Sequence, residues 1–565
     1  MAQGSIDRRL FLAGAAGLAV GGATLAACGG NGSKGQESSA STSSAVNSSA
    51  SVSSEASPSS IKNSQSVTPA YVPYAGVKPD TPAGAHGIPA GFYHYPANPP
   101  SFTSGVPGSG GSVSCMMEGG GTTVAKSKNR WWQALNKALG VDLDLRVVPF
   151  TDYLNKFQVD VAGSLPTDLI QFVMVPQTPQ VLENEFADLT PYLSGDNIKA
   201  YPGLASIPTA SWQISTINGR IWGIPESRPA AGTVCAFRGD SLAKIGIKDN
   251  PPQLSNGQDF LDLCKELTDK KSSRYAIGEQ PNIYVLNAAL EMVGAPNGWK
   301  VQDGAFTSVY ETDEMKQALD LTTQMWQAGY IHPDSFITPG KDFTWWSGGT
   351  ITLYFTAFGD WQFQATAQPT WDIGAVALPK WGGGGPAAKV LGQAGYVYPM
   401  AFKKTSDSKI KELLQICDYL NAPFGTKEYL LVNWGVENVD YTLSEQGDPV
   451  RTKTGTSELI DGLEYVGTQE YVNLYVPGNK ALVDMERAYL ETALPNGVAD
   501  PSWGLYSETA VTKGVTATQN VQNATSDIIQ GRRKLAEWDS VVTSWRNLAG
   551  DAMRGEYEKA YAAQH

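Results

Sequence analysis

The sequence predicts an α/β protein whose body is built from more than one domain. Three observations carry the prediction. From residue 112 onward, short apolar runs of strand type alternate with amphipathic stretches at helical spacing. The segment from 113 to 565 holds all 15 Trp and is longer than one hydrophobic core usually supports. The residues ahead of it contain no Trp at all and read as an arm.

Each element follows from its pattern. Ser112 to Met117 is an apolar strand stopped by Gly119-Gly120-Gly121. Asn129 to Leu139 reads as a helix with Trp132, Leu135 and Leu139 on one face. Leu143 to Val148 alternates as a strand, Asp152 to Ala162 is helical, and Asp168 to Val175 is again apolar and strand-like. Helical spacing recurs at 259–268, 313–328, 408–421 and 480–492, and the stretch 527–561 is mostly helical. Strands alternating with helices call for parallel sheets covered by helices.

Charge and composition exclude several classes. There are 42 basic and 55 acidic residues, a net charge of −13, and the excess lies in the body. Such a body repels nucleic-acid phosphates and anionic lipid, so no nucleic acid is expected as partner. Only four His occur, two of them (His86, His94) in the arm and one (His565) terminal. No CxxC, HExxH or nucleophile elbow is present. No metal, cofactor or catalytic residue is therefore assigned. Gly120 to Ser127 nearly spells a phosphate-binding loop, but Ala125 stands where the second glycine belongs. Cys115, Cys235, Cys264 and Cys417 sit in apolar contexts, and both disulfides and buried thiols fit them.

Residues 1–28 read as an address. Arg8-Arg9 precede an apolar stretch that ends at Leu25-Ala26-Ala27-Cys28-Gly29. The paired arginines resemble a twin-arginine signal and the Cys a lipoprotein box, with Cys28 as the lipidated residue. The expected location is the outer face of the cell membrane, held by acyl chains. Residues 29–66 form a Ser-rich tether, with 16 Ser among 34 positions from 33 on, too polar to order itself. Residues 67–111 interleave prolines with Tyr71, Tyr74, Phe92, Tyr93, Tyr95 and Phe102. An extended arm packed on the body through these rings is expected.

A series of short motifs resembles one family. Gly163-Ser164-Leu165-Pro166-Thr167-Asp168, Phe186-Ala187-Asp188-Leu189-Thr190-Pro191-Tyr192, Asn218-Gly219-Arg220-Ile221-Trp222-Gly223-Ile224-Pro225, Gly329-Tyr330-Ile331-His332-Pro333-Asp334 and Gly435-Val436-Glu437 follow in the order seen in extracellular solute-binding proteins of carbohydrate ABC importers. The resemblance covers about 112–565. It implies a two-lobed, Venus-flytrap fold of periplasmic-binding-protein type II, with ligand taken between the lobes. Lobe 1 is expected from 112–228 plus 395–494, and lobe 2 from 229–394 plus 495–565. Crossings are expected at Pro225–Thr233, at Gln393–Tyr396 and near Leu494–Pro495, where glycine or proline marks the chain. Some relatives carry a calcium loop after the helix that ends here near Thr268. Asp269 with Lys270 and Lys271 offers too few oxygen ligands for calcium.

A sugar ring has an apolar face and a polar rim, so aromatic rings beside carboxylates, amides and arginine are the candidate contacts. The resemblance places Asp360 and Trp361 at the cleft. Trp346 and Tyr396 belong to the same aromatic-rich stretch, 343–398. Trp381, beside Gly382–Gly385, is a candidate rim clamp. Glu226 and Arg228 lie at the first crossing. Gln280 and Asn282 follow a strand of the second lobe, and Trp503 lies in an Asp-Pro-Ser-Trp-Gly loop. The expected function is a monomeric, lipid-anchored receptor that delivers a carbohydrate to an ABC permease, not an enzyme. The alternatives are a membrane-anchored glycoside hydrolase or lyase, for which two acids would suffice, and a glycan-sensing lipoprotein.

Overall fold

The computed structural model describes residues 67–120, 123–248, 251–460, 462–467 and 472–564. The twin-arginine segment, the Cys28 lipidation site and the Ser-rich tether lie outside the described residues.

The first lobe begins with β1 (Ser112–Gly119), α1 (Arg130–Leu139), β2 (Asp142–Pro149), α2 (Phe150–Ala162), β3 (Leu169–Gln171), α3 (Thr178–Glu185) and β4 (Gly223–Ile224). The chain then builds β5 (Thr233–Arg238), α4 (Gly257–Leu267), α5 (Asp313–Ala328), α6 (Asp342–Ser347), β6 (Leu353–Ala357), α7 (Phe358–Ala367) and β7 (Ile373–Val376). It returns through β8 (Met400–Phe402) and α8 (Asp407–Leu420), and ends with α9 (Lys480–Ala493), α10 (Val515–Ile529) and α11 (Asp551–Ala562). Two sheets result. One has the order β2-β1-β3-β8-β4, with β1 parallel to β2 and β3 and with β8 antiparallel to its neighbours. The other is antiparallel, in the order β6-β5-β7. A mixed first sheet, not a purely parallel one, forms because β8 enters from the other lobe and runs back against β3.

Local chemistry explains the helices. Asn129 caps α1 by accepting from the Trp132 N–H, and Gly140 ends the helix in the left-handed conformation. Trp132 Nε1 donates to Leu143 O of β2, fixing helix to strand. The strand-like run at 168–175 stays in the ladder only through Gln171; Phe172, Val173 and Val175 then pack apolar side chains without pairing as strand. Cys115, Cys235, Cys264 and Cys417, the four cysteines among the described residues, are buried free thiols, which settles the point left open by the sequence. Their surroundings are apolar: Cys115 Sγ has the sulfurs of Met117 and Met400 at 3.8 and 3.9 Å.

Each sheet has its own core. Val113, Cys115, Leu143, Leu169, Met400 and Phe402 pack with α1 and α8, whereas Phe237, Leu353 and Val376 pack with α4, α5 and α10. The helix α9 departs from the sequence-based boundary at 494. Its Leu482, Val483, Tyr489 and Leu490 share a core with Val234, Ala236 and Ile373 of the second sheet. Burial on that sheet assigns α9 to the second lobe, although the boundary would give it to the first.

The chain passes between the lobes along paired segments. Ser227 pairs with Gly395, Arg228 N donates to Ala394 O, and Tyr396 N donates to Glu226 O. Further along, Gly392 N donates to Ala230 O. Gly232, at φ 57°, approaches so closely that a Cβ on it would lie 2.8 Å from Gly392 N. Val390 pairs with Val498 beside this ribbon.

The arm touches both lobes. Phe92 packs on Phe424 at 4.4 Å, Tyr95 Oη donates to Thr426 O at 2.6 Å, and Gly91–Phe92 pairs in parallel with Leu474–Tyr475. Ile88 enters the core around α9, and Tyr93 Oη donates to Asp484 of that helix at 2.8 Å.

Candidate functional site

The carboxyl ends of the first sheet's parallel strands meet the paired crossings, and a polar cluster forms there. Open α/β sheets bind ligands at such strand ends. β1 delivers Glu118 and β3 delivers Gln171, both almost fully buried. Glu118 N donates to Gln171 Oε1 at 2.6 Å. Tyr396, from the returning crossing, donates its hydroxyl to Glu118 Oε1 at 2.6 Å. Arg228, from the outgoing crossing, pairs with Glu226 at 2.9 Å and lies 5.1 Å above the Tyr396 ring. Tyr465 packs on Tyr396 at 4.7 Å, and Tyr398 meets Tyr396 edge-on at 5.7 Å.

Burial dominates the electrostatics. It pushes the Glu118 carboxyl up to about 7, against the pull of the Tyr396 hydrogen bond and of Arg228. Burial also raises Tyr396 well above the ordinary phenol value, with Glu118 and Glu226 adding to the effect. Tyr396 therefore stays a hydrogen-bond donor.

In the second lobe, the end of β6 lies beside the crossing, because Ala357 pairs with Thr233 and Phe358 N donates to Gly232 O. Three carboxylates gather behind this edge. Glu279 accepts from Gly278 N and Phe355 N, and burial pushes it up to about 8. Asp342, at the start of α6, and Asp360, in the first turn of α7, are both raised by burial. All three act on Tyr354 and raise it further.

The predicted contacts divide. Glu226, Arg228 and Tyr396 come together in the cluster at the crossings. Trp361 does not: it is 0% exposed, its Nε1 donates to Ile373 O, and Phe358 and Tyr489 close over it at 5.5 and 5.6 Å. Trp346 is likewise 0% exposed, with Nε1 on Thr352 O and its ring stacked on Tyr354. Both rings are core, because the second sheet needs large side chains beneath it. Asp360 is spent inside the lobe, accepting from Thr356 and Gln364. Trp381 is half-buried against the start of α4, where a Cβ on Gly257 would strike its ring. Gln280 precedes a short helical turn, and Asn282 donates to Gln522 O of α10 at 3.4 Å, a contact within the second lobe. Trp503 does reach across: its carbonyl accepts from Gln213 Nε2 of the first lobe at 3.2 Å.

Sequence reasoning missed Glu118, Gln171 and Tyr465. An acid or amide closing an apolar strand was the available signal, in Met116-Met117-Glu118 and Leu169-Ile170-Gln171. It also missed a cross-lobe contact. Gln177 N, just before α3, donates to Glu508 Oε2 at 2.9 Å, and Thr178 N donates to Tyr506 Oη at 3.3 Å. Glu508 thus caps a helix start from the opposite lobe. The Asp269 turn is closed by Ser272, Lys271 N and Arg274. Among the described residues, no group of three or more His, Cys, Asp or Glu is arranged to hold a metal ion.

Comparison with known proteins agrees with this architecture. No family model matches the chain. It is 22% identical over 457 residues to the polygalacturonan/rhamnogalacturonan-binding protein YtcQ of Bacillus subtilis (strain 168), covering 77% of this chain and 88% of the relative. It is 22% identical, over 76% of this chain and 88% of the relative, to the lipoprotein LipO of the same organism. In structure it resembles the HMO-binding, ABC-transporter-associated solute-binding protein of Bifidobacterium longum infantis ATCC 15697, at a TM-score of 0.62 and 14% identity, over 80% of this chain and 99% of that one. In fold the chain shares the two-lobed architecture of these solute-binding proteins, and in sequence it is similar to YtcQ and LipO.

Proposed function

We propose that the chain captures a carbohydrate, of oligosaccharide size, between its lobes and delivers it to an ABC importer permease. The observation that carries this reading is the cluster at the crossings: Tyr396, Tyr398 and Tyr465 beside Glu118, Glu226 and Arg228. Flat rings with a polar rim suit the two faces of a sugar. The ligands of the similar proteins support it: polygalacturonan and rhamnogalacturonan for YtcQ, and HMO for the Bifidobacterium protein. Binding without covalent chemistry accounts for the site, and no cofactor is needed.

A lipid on Cys28 would hold the receptor at the outer face of the membrane and raise its effective concentration at the permease. The lipoprotein name of LipO supports that placement. Among the described residues, no helix is long and apolar enough to cross a membrane. The expected working form is a monomer, because one chain supplies both walls of the cleft.

A glycan library screened by thermal shift tests the reading. Stabilisation by at least one oligosaccharide is expected; no stabilisation by any glycan would remove the carbohydrate assignment. Release of reducing ends from a bound glycan would favour the hydrolase alternative.

A further inference from the structure

We propose that Glu118, Gln171 and the Glu226–Arg228 pair form a hydroxyl-reading subsite that accepts neutral sugars and turns away uronates. The inference rests on the carbohydrate reading and names the ligand class within it.

The first observation is a buried amide with a spare donor. Gln171 is 0% exposed at the last position of β3. Its Oε1 is committed to the Glu118 N–H at 2.6 Å. That bond fixes the amide orientation, since a flipped amide would face one N–H with another. Its Nε2 is then a fixed donor, and it has no hydrogen-bond partner. A buried polar group left unpaired costs free energy, so a site that keeps one is poised for an acceptor.

The second observation is the arrangement of charge. Glu118 sits beside this amide and already accepts from Tyr396. Arg228 is the cation that acts on Glu118 and on Tyr396. Its guanidinium is held by Glu226 at 2.9 Å, and Glu226 is buried. A carboxylate on the ligand would satisfy Gln171 Nε2, but it would meet Glu118 and Glu226, and Arg228 Nη2 is already held by Glu226. A hydroxyl satisfies the amide as acceptor and can donate to Glu118 with the same group. Neutral sugars therefore fit both partners, and uronates only one. A site that offers buried acceptors discriminates mainly by what it leaves unpaired.

A glycan array of neutral, amino and uronate oligosaccharides, including tetragalacturonate and its carboxyl-reduced form, tests this on the full chain. Retained glycans are expected to lack carboxylates. A retained uronate that binds as tightly as its reduced counterpart would overturn the inference and leave the carbohydrate reading standing. An empty array would take both down together. Two variants sharpen the result, each read by titration with the tightest array glycan. Gln171→Met should weaken that glycan about tenfold per folded molecule; the melting temperature should fall as well, because the Glu118 N–H loses its acceptor. Glu226→Gln, which removes the carboxylate paired with Arg228, should raise the uronate-to-neutral affinity ratio of the matched pair about tenfold. An unchanged affinity in the first variant, or an unchanged ratio in the second, would refute the assignment.

Discussion

Tyr396 and Glu118 come from opposite ends of the fold's logic and meet at 2.6 Å. Glu118 is the penultimate residue of β1 in the first sheet, whereas Tyr396 lies on the segment returning from the second lobe. One hydrogen bond thus links the rigid sheet to the part of the chain that must move when the lobes rotate.

Tyr396→Phe keeps the ring and deletes that bond. Loss of a hydrogen bond to a charged or buried group costs about 1.5–3 kcal/mol. The variant should bind ligand at least about tenfold more weakly by titration calorimetry, with the near-UV spectrum of the fold retained. Affinity equal to the parent would mean that the bond serves neither ligand nor closure.

Stability should fall as pH rises from 5 to 8. Burial raises Glu118 and Asp418 to about 7 and Glu279 and Glu486 to about 8. A carboxyl raised in the folded state favours folding while protonated, and that advantage is lost as pH climbs from its unfolded value through its folded one. Glu412, lowered to about 2, acts in the opposite sense but only below the usual carboxylate range, outside this window. Denaturant midpoints should be higher at pH 5 than at pH 8. Glu486→Gln should reduce the slope, and an identical slope would show that Glu486 is not one of the titrating groups.

Trp361→Ala should cost about 3–5 kcal/mol of stability, the usual range for emptying a core aromatic site. Glycan affinity per folded molecule should stay the same. A selective loss of affinity at parental melting temperature would return this ring to the binding site, against its complete burial.

Glu508→Ala removes the cap that the second lobe places on the start of α3. Ligand affinity should drop by about 1.5–3 kcal/mol, the range of one hydrogen bond to a charged group, without a change in melting temperature. Small-angle scattering of the ligand-free variant should show a larger mean radius of gyration than the parent. An unchanged radius together with unchanged affinity would rule out a role in closure.

The sequence made some features plain and hid others for physical reasons. Periodicity located α1 within one residue and α5 over its full span, because each has one apolar face and side-chain caps at its start. It overran β3 by four residues, since Phe172 to Val175 are apolar for packing and not for pairing. Glu226, Arg228 and Tyr396 were accessible because they flank the crossings. Glu118 was not, because a lone acid between an apolar strand and the Gly119–Gly121 run reads as the start of a turn, and Gln171 was not, because it lies inside the run read as strand. Trp361 and Trp346 misled for the opposite reason: a cluster of tryptophans satisfies a thin three-stranded sheet as well as it would a sugar. Helix α9 crossed the expected boundary because its partner sheet is distant in sequence.

The near-contact of Gly232 with Gly392 has a mechanical consequence. Two backbones that touch without an intervening side chain define a pivot about one atom wide. Rotation of the lobes about it is expected to come more easily than sliding, which would break the hydrogen bonds on either side. Ligands of different length must then be accommodated by the angle of rotation, not by the spacing of the walls. A methyl group on Gly392 would come within 2.9 Å of Gly232 Cα and act as a wedge that fixes that angle, which would make the opening of this receptor adjustable from the crossing itself.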